Sequence, residues 1–165
     1  MAFRKTYTPQ QAFPKIRQYC VYQERSHSEV KQKLYDFGLR KTEVDDLISK
    51  LIEENFLNEE RYALSFTGGR FRMKKWGRVK IKYELKQKQI SDYNIRKALD
   101  SIEEADYLKT IKKLAETKWN SIKEPGINAY TRIAKTTAYL LQKGYESVYI
   151  KRVLGELRAP KEKGG

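Results

Sequence analysis

Three copies of one apolar pattern run along the chain, and this repeat restricts the fold more than any other feature of the sequence. Moving residues 28–48 forward by 51 positions places them on 79–99, and a further 55 positions reach 134–154. A repeat of this length predicts successive copies of one supersecondary unit. The matched sets are Val30, Leu34, Leu39, Val44 and Ile48; then Ile81, Leu85, Ile90, Ile95 and Leu99; then Leu140, Tyr145, Ile150 and Leu154.

The first copy indicates that the unit is a helix, a tight turn and a second helix. Ser26 and Glu29 have capping-box spacing, so they predict the start of the first helix. Gly38 supplies the left-handed residue that commonly ends a helix. Thr42 has the same relation to an acidic residue three positions later and predicts the start of the second helix. Asn58, followed by two glutamates, predicts the start of a third helix.

Residues 79–86 give a conflicting signal. Val79, Ile81, Tyr83 and Leu85 alternate with charged residues, which is typical of a half-buried strand. The equivalent segment of the first copy does not alternate. If the copies share one fold, residues 79–86 form a helix with Ile81 and Leu85 inside and Val79 and Tyr83 outside. A strand would bury all four side chains, so that alternative remains open from the residues alone.

We therefore predict an all-α fold built from three tandem helical repeats. Pro14 suits the first turn of a helix before the first repeat, and Pro125 and Gly126 mark the clearest break. Nothing in the sequence requires a dimer, and we expect a monomer. The predicted organisation is a mobile arm at 1–13, a helix plus repeat 1 at 14–72, repeat 2 at 73–124, repeat 3 at 125–158 and a frayed tail at 159–165.

The sequence contains no pattern typical of an enzyme, so we expect no catalytic residue, metal or cofactor. His27 is the one histidine and is expected to face solvent. Cys20 is the one cysteine and is expected to be a core residue and not a nucleophile, with no second histidine to complete a dyad. No CxxC motif or histidine cluster suggests a metal. Gly68 and Gly69 lack the frame of a phosphate-binding loop. We find no apolar run long enough for a membrane span and no secretory leader, and we expect a cytoplasmic protein.

Positive charge is concentrated in the middle of the chain. The net charge is +14, and residues 67–100 alone carry 11 basic and 3 acidic side chains. Lysines can simply keep a protein soluble, but a one-sided charge favours a polyanionic partner, and the interleaved aromatic rings can stack on bases. The predicted binding face consists of Arg70, Arg72, Lys74, Lys75, Trp76, Arg78, Lys80, Lys82, Tyr83, Lys86 and Lys88. A secondary basic face consists of Arg132, Lys135, Lys143, Lys151 and Arg152.

Four stretches of the chain together resemble the RecX family, the regulators of the RecA recombinase. They are RSHSEVKQKL at 25–34, FLNEERYA at 56–63, GRVKIKYELKQKQI at 77–90 and LLQKGY at 140–145. Arg78 stands where that family commonly has proline, and Gln89 stands where it usually has glycine. The resemblance implies three tandem three-helix repeats in a curved, elongated array. It also implies binding to RecA, chiefly to the filament on DNA, and inhibition of its ATPase, strand-exchange and coprotease activities.

Two other functions fit the residues. The first is a general DNA- or RNA-binding helical module, in which one repeat acts like a helix-turn-helix. The second is an interaction scaffold that makes no contact with nucleic acid. The surface charge alone does not separate these from a filament regulator.

Overall fold

The computed structural model describes residues 5–159, which form nine α-helices and no strand. The all-α prediction is confirmed. No helix within these residues is long and apolar enough to cross a membrane. The helices are α1 (Pro9–Tyr22), α2 (His27–Asp36), α3 (Lys41–Glu53), α4 (Glu59–Lys74), α5 (Arg78–Gln87), α6 (Asp92–Asp100), α7 (Glu104–Ser121), α8 (Ala129–Lys143) and α9 (Ser147–Arg158).

The three predicted turns share one geometry, which confirms the repeat. Within two residues of the end of the first helix of each pair, one residue has positive φ: 86° at Gly38, 63° at Gln89 and 96° at Gly144. The next residue is buried and donates its N–H to the carbonyl five positions earlier, as in a Schellman cap. These hydrogen bonds run from Leu39 to Leu34 (3.3 Å), from Ile90 to Leu85 (3.1 Å) and from Tyr145 to Leu140 (3.1 Å).

Residues 79–86 are helical, as the repeat predicted and the alternating pattern did not. Ile81 and Leu85 are fully buried, whereas Val79 is 52% exposed and Tyr83 is 61% exposed. The strand interpretation was wrong because two of its four apolar side chains lie at the surface. Period-2 patterning in this segment reflects exposed apolar residues and not a second buried face.

The chain divides into two compact units. Unit 1 takes in, of the described residues, 5–66 and 84–98, and unit 2 takes in 67–83 and 99–159. In unit 1, helices α1, α2 and α3 pack on one another around an aliphatic core. That core includes Ile16, Leu34, Val44 and Leu51, which are fully buried, while Phe13, Tyr19, Phe37 and Phe56 pack partly buried at its edge.

Aromatic residues fill the centre of unit 2, where α7 packs against α8 and α9. Tyr107 and Tyr145 are fully buried, with ring centroids 5.2 Å apart. Phe71 is buried and stacks on Tyr107, with ring centroids 5.9 Å apart. The turn before α9 fits closely against the start of α5, since Gly77 N–H donates to Lys143 (2.8 Å) and Val79 N–H donates to Gly144 (2.9 Å).

Two predicted helix starts require correction. Helix α1 begins at Pro9 and not at Pro14, because Thr8 and Gln11 form a capping box there and Pro14 lies inside the helix. Residues 9–13 of the predicted arm are therefore helical. Helix α3 begins at Lys41, since the Glu43 carboxylate accepts the Arg40 N–H (2.9 Å), and Thr42 is not its cap. Residues 1–4 of the predicted arm and 160–165 of the predicted tail lie outside the described residues.

Two other starts agree with the prediction. Ser26 accepts the N–H of Glu29 (3.2 Å) at the start of α2, and Asn58 accepts the N–H of Arg61 (2.8 Å) at the start of α4. His27, however, does not face solvent as predicted. Its ring is about half-buried, and its Nε2 is buried without a hydrogen-bond partner among residues 5–159. Burial lowers the pKa of His27 below its ordinary value of 6.5.

Candidate nucleic-acid and protein interface

The two units differ strongly in charge. Among the described residues, unit 2 has 18 basic and 8 acidic side chains, a net charge of +10. Unit 1 has 14 basic and 12 acidic side chains, a net charge of +2. Every residue of the two predicted basic faces lies in unit 2 except Lys86 and Lys88. The excess of positive charge makes unit 2 the favoured surface for a polyanion.

Trp76 is the centre of the predicted binding face. Helix α4 ends at Lys74, and the left-handed Lys75 turns the chain so that Trp76 N–H reaches the Arg70 carbonyl (3.2 Å). Around the half-buried indole stand the Lys80 ammonium at 4.5 Å, the Arg70 guanidinium at 5.5 Å and the Lys74 ammonium at 5.8 Å. These are cation–π distances, so three positively charged groups surround one ring.

Several other members of the face are open to solvent. Tyr83, Lys82, Arg72 and Lys75 are all exposed in unit 2. Lys75 places its ammonium on the Arg72 carbonyl at 2.8 Å, where its charge still faces outward. Exposed cations beside an exposed tyrosine are suited to phosphate and base contacts.

Arg78 is turned inward and differs from the rest of the predicted face. Its guanidinium lies 3.9 Å from the Tyr107 ring centre and donates to Glu104 (3.0 Å) and Tyr149 (3.4 Å). Glu146 lies 3.8 Å away. Burial opposes the charge of Arg78, but the hydrogen bonds to Glu104 and Tyr149 raise its pKa. Its positive charge is therefore used within the unit.

The same network sets the acidity of its other members. The hydrogen bond from Tyr149 and the adjacent Arg78 hold the pKa of Glu104 below its ordinary value of 4.5. Tyr107 accepts the N–H of Arg78 (2.9 Å) and donates its hydroxyl to Glu146. Burial and the Glu146 carboxylate raise the pKa of Tyr107 well above its usual range. Tyr107 is thus a buried neutral phenol that orders the start of α5.

Lys86 and Lys88 belong to unit 1. Lys86 is exposed. The Lys88 ammonium instead donates to the Glu29 carboxylate at 2.8 Å, which also accepts the Tyr62 hydroxyl at 3.3 Å. Lys88 is therefore partly neutralised by its own unit.

The secondary basic face consists of separate environments within unit 2. Arg132 lies 4.3 Å from the Trp119 ring centre and donates to the Trp119 carbonyl at 2.8 Å. Lys135 pairs with Glu124 at 3.1 Å. Arg152 lies 3.9 Å from Glu156, and Lys151 borders an apolar cavity of about 430 Å³ between α8 and α9.

Lys143 connects this secondary face to Trp76 and the three cations around it, Arg70, Lys74 and Lys80, which together we call the Trp76 cluster. Its ammonium donates to the Lys74 carbonyl at 3.3 Å and lies 5.9 Å from the Tyr139 ring centre. Lys118, on α7, lies 5.4 Å from the same ring. The sequence analysis missed Lys118 and Tyr139, although Lys135, Tyr139 and Lys143 have i, i+4, i+8 spacing on one helix face, which is a detectable signal.

Two family models match the chain. One, described as the second three-helix domain of RecX, matches residues 58–99, and the third three-helix domain matches residues 104–154. These matches correspond to α4–α6 and α7–α9, so each begins with the long helix. The boundaries proposed from the sequence instead placed residues 58–72 in repeat 1 and 104–124 in repeat 2.

Relatives and solved structures agree with these matches. The "Regulatory protein RecX" of Clostridium perfringens strain 13 is 34% identical over 122 residues, which cover 74% of this chain and 57% of the relative. The chain thus spans a little over half the length of that curated relative. The crystal structure of RecX from Lactobacillus salivarius superposes with a TM-score of 0.81 at 25% identity, covering 90% of this chain and 96% of that one. A second RecX crystal structure, at 23% identity, has a TM-score of 0.79, covers 88% of this chain and 70% of that one, and shows the fold alone.

Proposed function

The chain belongs to the RecX family, and on that premise we propose that it is a non-enzymatic regulator of the RecA–DNA filament. It binds the filament through unit 2 and inhibits ATP hydrolysis, strand exchange and coprotease activity in recombinational DNA repair. The observation that carries the regulator role is the match to the RecX family, and the net charge of +10 on unit 2 against +2 on unit 1 supports a contact through unit 2. A filament of protein on DNA presents both phosphates and a long repeated surface to such a face.

The proposed contact surface follows from which cations face outward. It consists of the Trp76 cluster with Arg70, Lys74 and Lys80, the exposed Arg72, Lys75, Lys82 and Tyr83, and Lys143 beside them. Lys86 is retained as an exposed cation of unit 1. We leave out Arg78 and Lys88, because their charges are already engaged by glutamates within the chain.

The test is inhibition of ATP hydrolysis by RecA filaments on single-stranded DNA. The variant carries Lys74→Glu and Lys82→Glu, two exposed positions of unit 2. The matched control carries Lys31→Glu and Lys41→Glu, two exposed positions of unit 1 with the same change in charge. We expect the unit 2 variant to need about tenfold more protein for half-inhibition and the control to match the wild type. Absence of inhibition by the wild-type protein would contradict the regulator proposal.

A general nucleic-acid-binding module is the second candidate, and the charge of unit 2 alone favours it. If six side chains neutralise phosphates, the log–log dependence of binding on salt should have a slope of about −5. The protein concentration needed to slow ATP hydrolysis distinguishes the two functions. A filament regulator slows ATP hydrolysis at concentrations where it barely binds free single strands, whereas a general module affects hydrolysis only where it already coats the free strand.

A further inference from the structure

Helices α7 and α8 of unit 2 enclose a polar groove outside the predicted binding face. The groove encloses about 410 Å³ and is lined by Lys118, Lys135, Ala138, Tyr139 and Gln142. Tyr139 is half-buried, so its ring is held in place while part of it remains accessible. An ordered aromatic ring in a lysine-lined groove is a suitable platform for a flat, negatively charged ligand.

Two ammonium groups flank the Tyr139 ring. Lys118 lies 5.4 Å from the ring centre and Lys143 lies 5.9 Å from it, each from a different helix. Lys135 also lines the groove, but it is paired with Glu124 at 3.1 Å. The Gln142 amide supplies one donor and one acceptor group to the same space. The groove therefore combines a stacking surface, two cations and a group that can bind base edges.

Lys143 lies next to the groove, between the Tyr139 ring and the Trp76 cluster. The Lys143 ammonium donates to the Lys74 carbonyl at 3.3 Å, and the Lys74 ammonium lies 5.8 Å from the Trp76 ring centre. Two aromatic rings with their lysines are thus linked by one side chain. Alternating rings and cations match the alternating bases and phosphates of an extended strand.

The chemistry favours a single strand over the other polyanions. A duplex keeps its base faces stacked inside, so it offers no surface to Tyr139. An acidic peptide would use the lysines but leave the ring face without a matching group. A single strand uses both, because every base has a π-face and every nucleotide has a phosphate.

We propose that the groove between α7 and α8 binds single-stranded nucleic acid, with one base stacked on Tyr139 and the adjacent phosphates held by Lys118 and Lys143. The site deepens the proposed function and rests on it only in taking DNA as the ligand. Its test uses free strands and no recombinase, so this site and the regulator role can fail separately.

The experiment compares two labelled strands of equal length by fluorescence anisotropy: oligo-dT, and an abasic strand that has the phosphates but no bases. We expect Tyr139→Ala to weaken dT binding about 5- to 150-fold, the range for loss of one stacked base. Binding of the abasic strand should stay within about twofold, because the charges are unchanged. Tyr139→Phe should retain dT binding. The matched control is Tyr130→Ala, since Tyr130 lies on the same helix, is 80% exposed and does not line the groove.

Three outcomes would overturn the site. They are unchanged dT binding by Tyr139→Ala, an equal loss of binding on both strands, and a comparable loss of dT binding by Tyr130→Ala. A photocrosslink from an iodouracil-substituted strand tests the wild-type protein directly and does not depend on the folding of a variant. We expect peptide mapping to find the crosslink at Tyr139, and crosslinks confined to unit 1 would contradict the proposal.

Discussion

Units 1 and 2 use the same helix–turn–helix pattern but differ in their balance of charge. Both contain ion pairs: Arg61 pairs with Glu24 at 2.5 Å in unit 1, and Lys135 pairs with Glu124 at 3.1 Å in unit 2. In unit 2, the Lys80 and Lys118 ammonium groups also lie over aromatic rings. Unit 1 also has cation–π contacts, but its charges nearly balance. Unit 2 has a net charge of +10 against +2 for unit 1, and this excess supports the proposed placement of the contact on unit 2.

The hydrophobic cores of the two units also differ in composition. The core among α1, α2 and α3 of unit 1 is aliphatic with aromatic residues at its edge, and Tyr62 and Phe66 are buried elsewhere in the unit. Unit 2 buries Tyr107 and Tyr145 completely, and the Tyr107 hydroxyl organises a network of charged groups. An aliphatic core tolerates small changes better than a polar network, in which each group depends on the others. Single substitutions should therefore affect unit 2 more than equivalent ones in unit 1.

The largest difference is expected at the repeated turn. A Cβ at Gly144 would overlap the Lys80 side chain and lie 2.7 Å from the Lys80 backbone nitrogen, at φ 96°. A Cβ at Gly38 would lie 2.7 Å from the Thr6 methyl, which can move. We expect Gly144→Ala to cost about 3 kcal/mol or more and Gly38→Ala about 1–2 kcal/mol. Urea denaturation followed by circular dichroism measures both, and equal costs would contradict the close fit at Gly144.

The second prediction compares two phenols. Removing the Tyr107 hydroxyl leaves the Arg78 N–H and the Glu146 carboxylate without a buried partner, so Tyr107→Phe should cost about 1–3 kcal/mol. Tyr62→Phe in unit 1 removes a longer hydrogen bond, 3.3 Å from the Tyr62 hydroxyl to Glu29. Because Glu29 keeps its hydrogen bond from Lys88, this substitution should cost about 1 kcal/mol or less. Thermal unfolding of the two variants checks the order, and a larger loss for Tyr62→Phe would reverse the comparison of the cores.

The third prediction concerns the stability of the folded protein at low pH. Glu104 has a pKa below its ordinary value of 4.5 in the folded protein. The folded state therefore binds this proton less readily, so its stabilising effect is complete above pH 4.5 and is lost as the pH falls through the lower folded value. Because the carboxylate is mostly exposed, the effect should be under about 1 kcal/mol. Glu104→Gln should flatten the acid side of the stability profile, whereas an unchanged profile would show that the network does not depend on this charge.

The smallest expected effect is a gain in unit 1. Gln89 adopts φ 63° at the position where the other two repeats have glycine. Gln89→Gly removes the left-handed strain but gives the unfolded chain more freedom, so the net stabilisation should be about 0.5 kcal/mol. Urea denaturation measures it, with the substitution of an exposed helical residue, Gln32→Ala, as the control for small changes. A loss of stability would mean that the Gln89 side chain contributes more than its backbone costs.

Sequence reasoning recovered the buried positions and missed contacts made over long separations. Ile81 and Leu85 could be assigned because the repeat transfers information between copies, even where Val79 and Tyr83 suggested a strand. The inward turn of Arg78 could not be read from its neighbours, because its partners Glu104 and Tyr149 lie 26 and 71 residues away. Charge alone does not reveal which cations are already paired.

A helix begins where the sequence supplies both capping hydrogen bonds, and not at a proline that merely suits a first turn. The start of α1 was misplaced because Pro14 suits a first turn, yet Thr8 and Gln11 together supply both capping hydrogen bonds and extend the helix over it. The groove beside Tyr139 was missed for a different reason. Lys118 approaches that ring from another helix, so only half of the arrangement is visible in the spacing of α8.

The aromatic and thiol groups described above also divide between the units as natural probes. Trp76 and Trp119 are the only tryptophans of the chain and both lie in unit 2, whereas the single thiol, Cys20, lies in unit 1. Cys20 is buried, and burial raises the pKa of its thiol to about 11, so we expect disulfide reagents to label it much faster once unit 1 opens. Indole fluorescence and thiol labelling of the unmodified protein therefore report on the opening of one unit each. Coincident transitions would make the chain one cooperative system, and separate transitions would make it two.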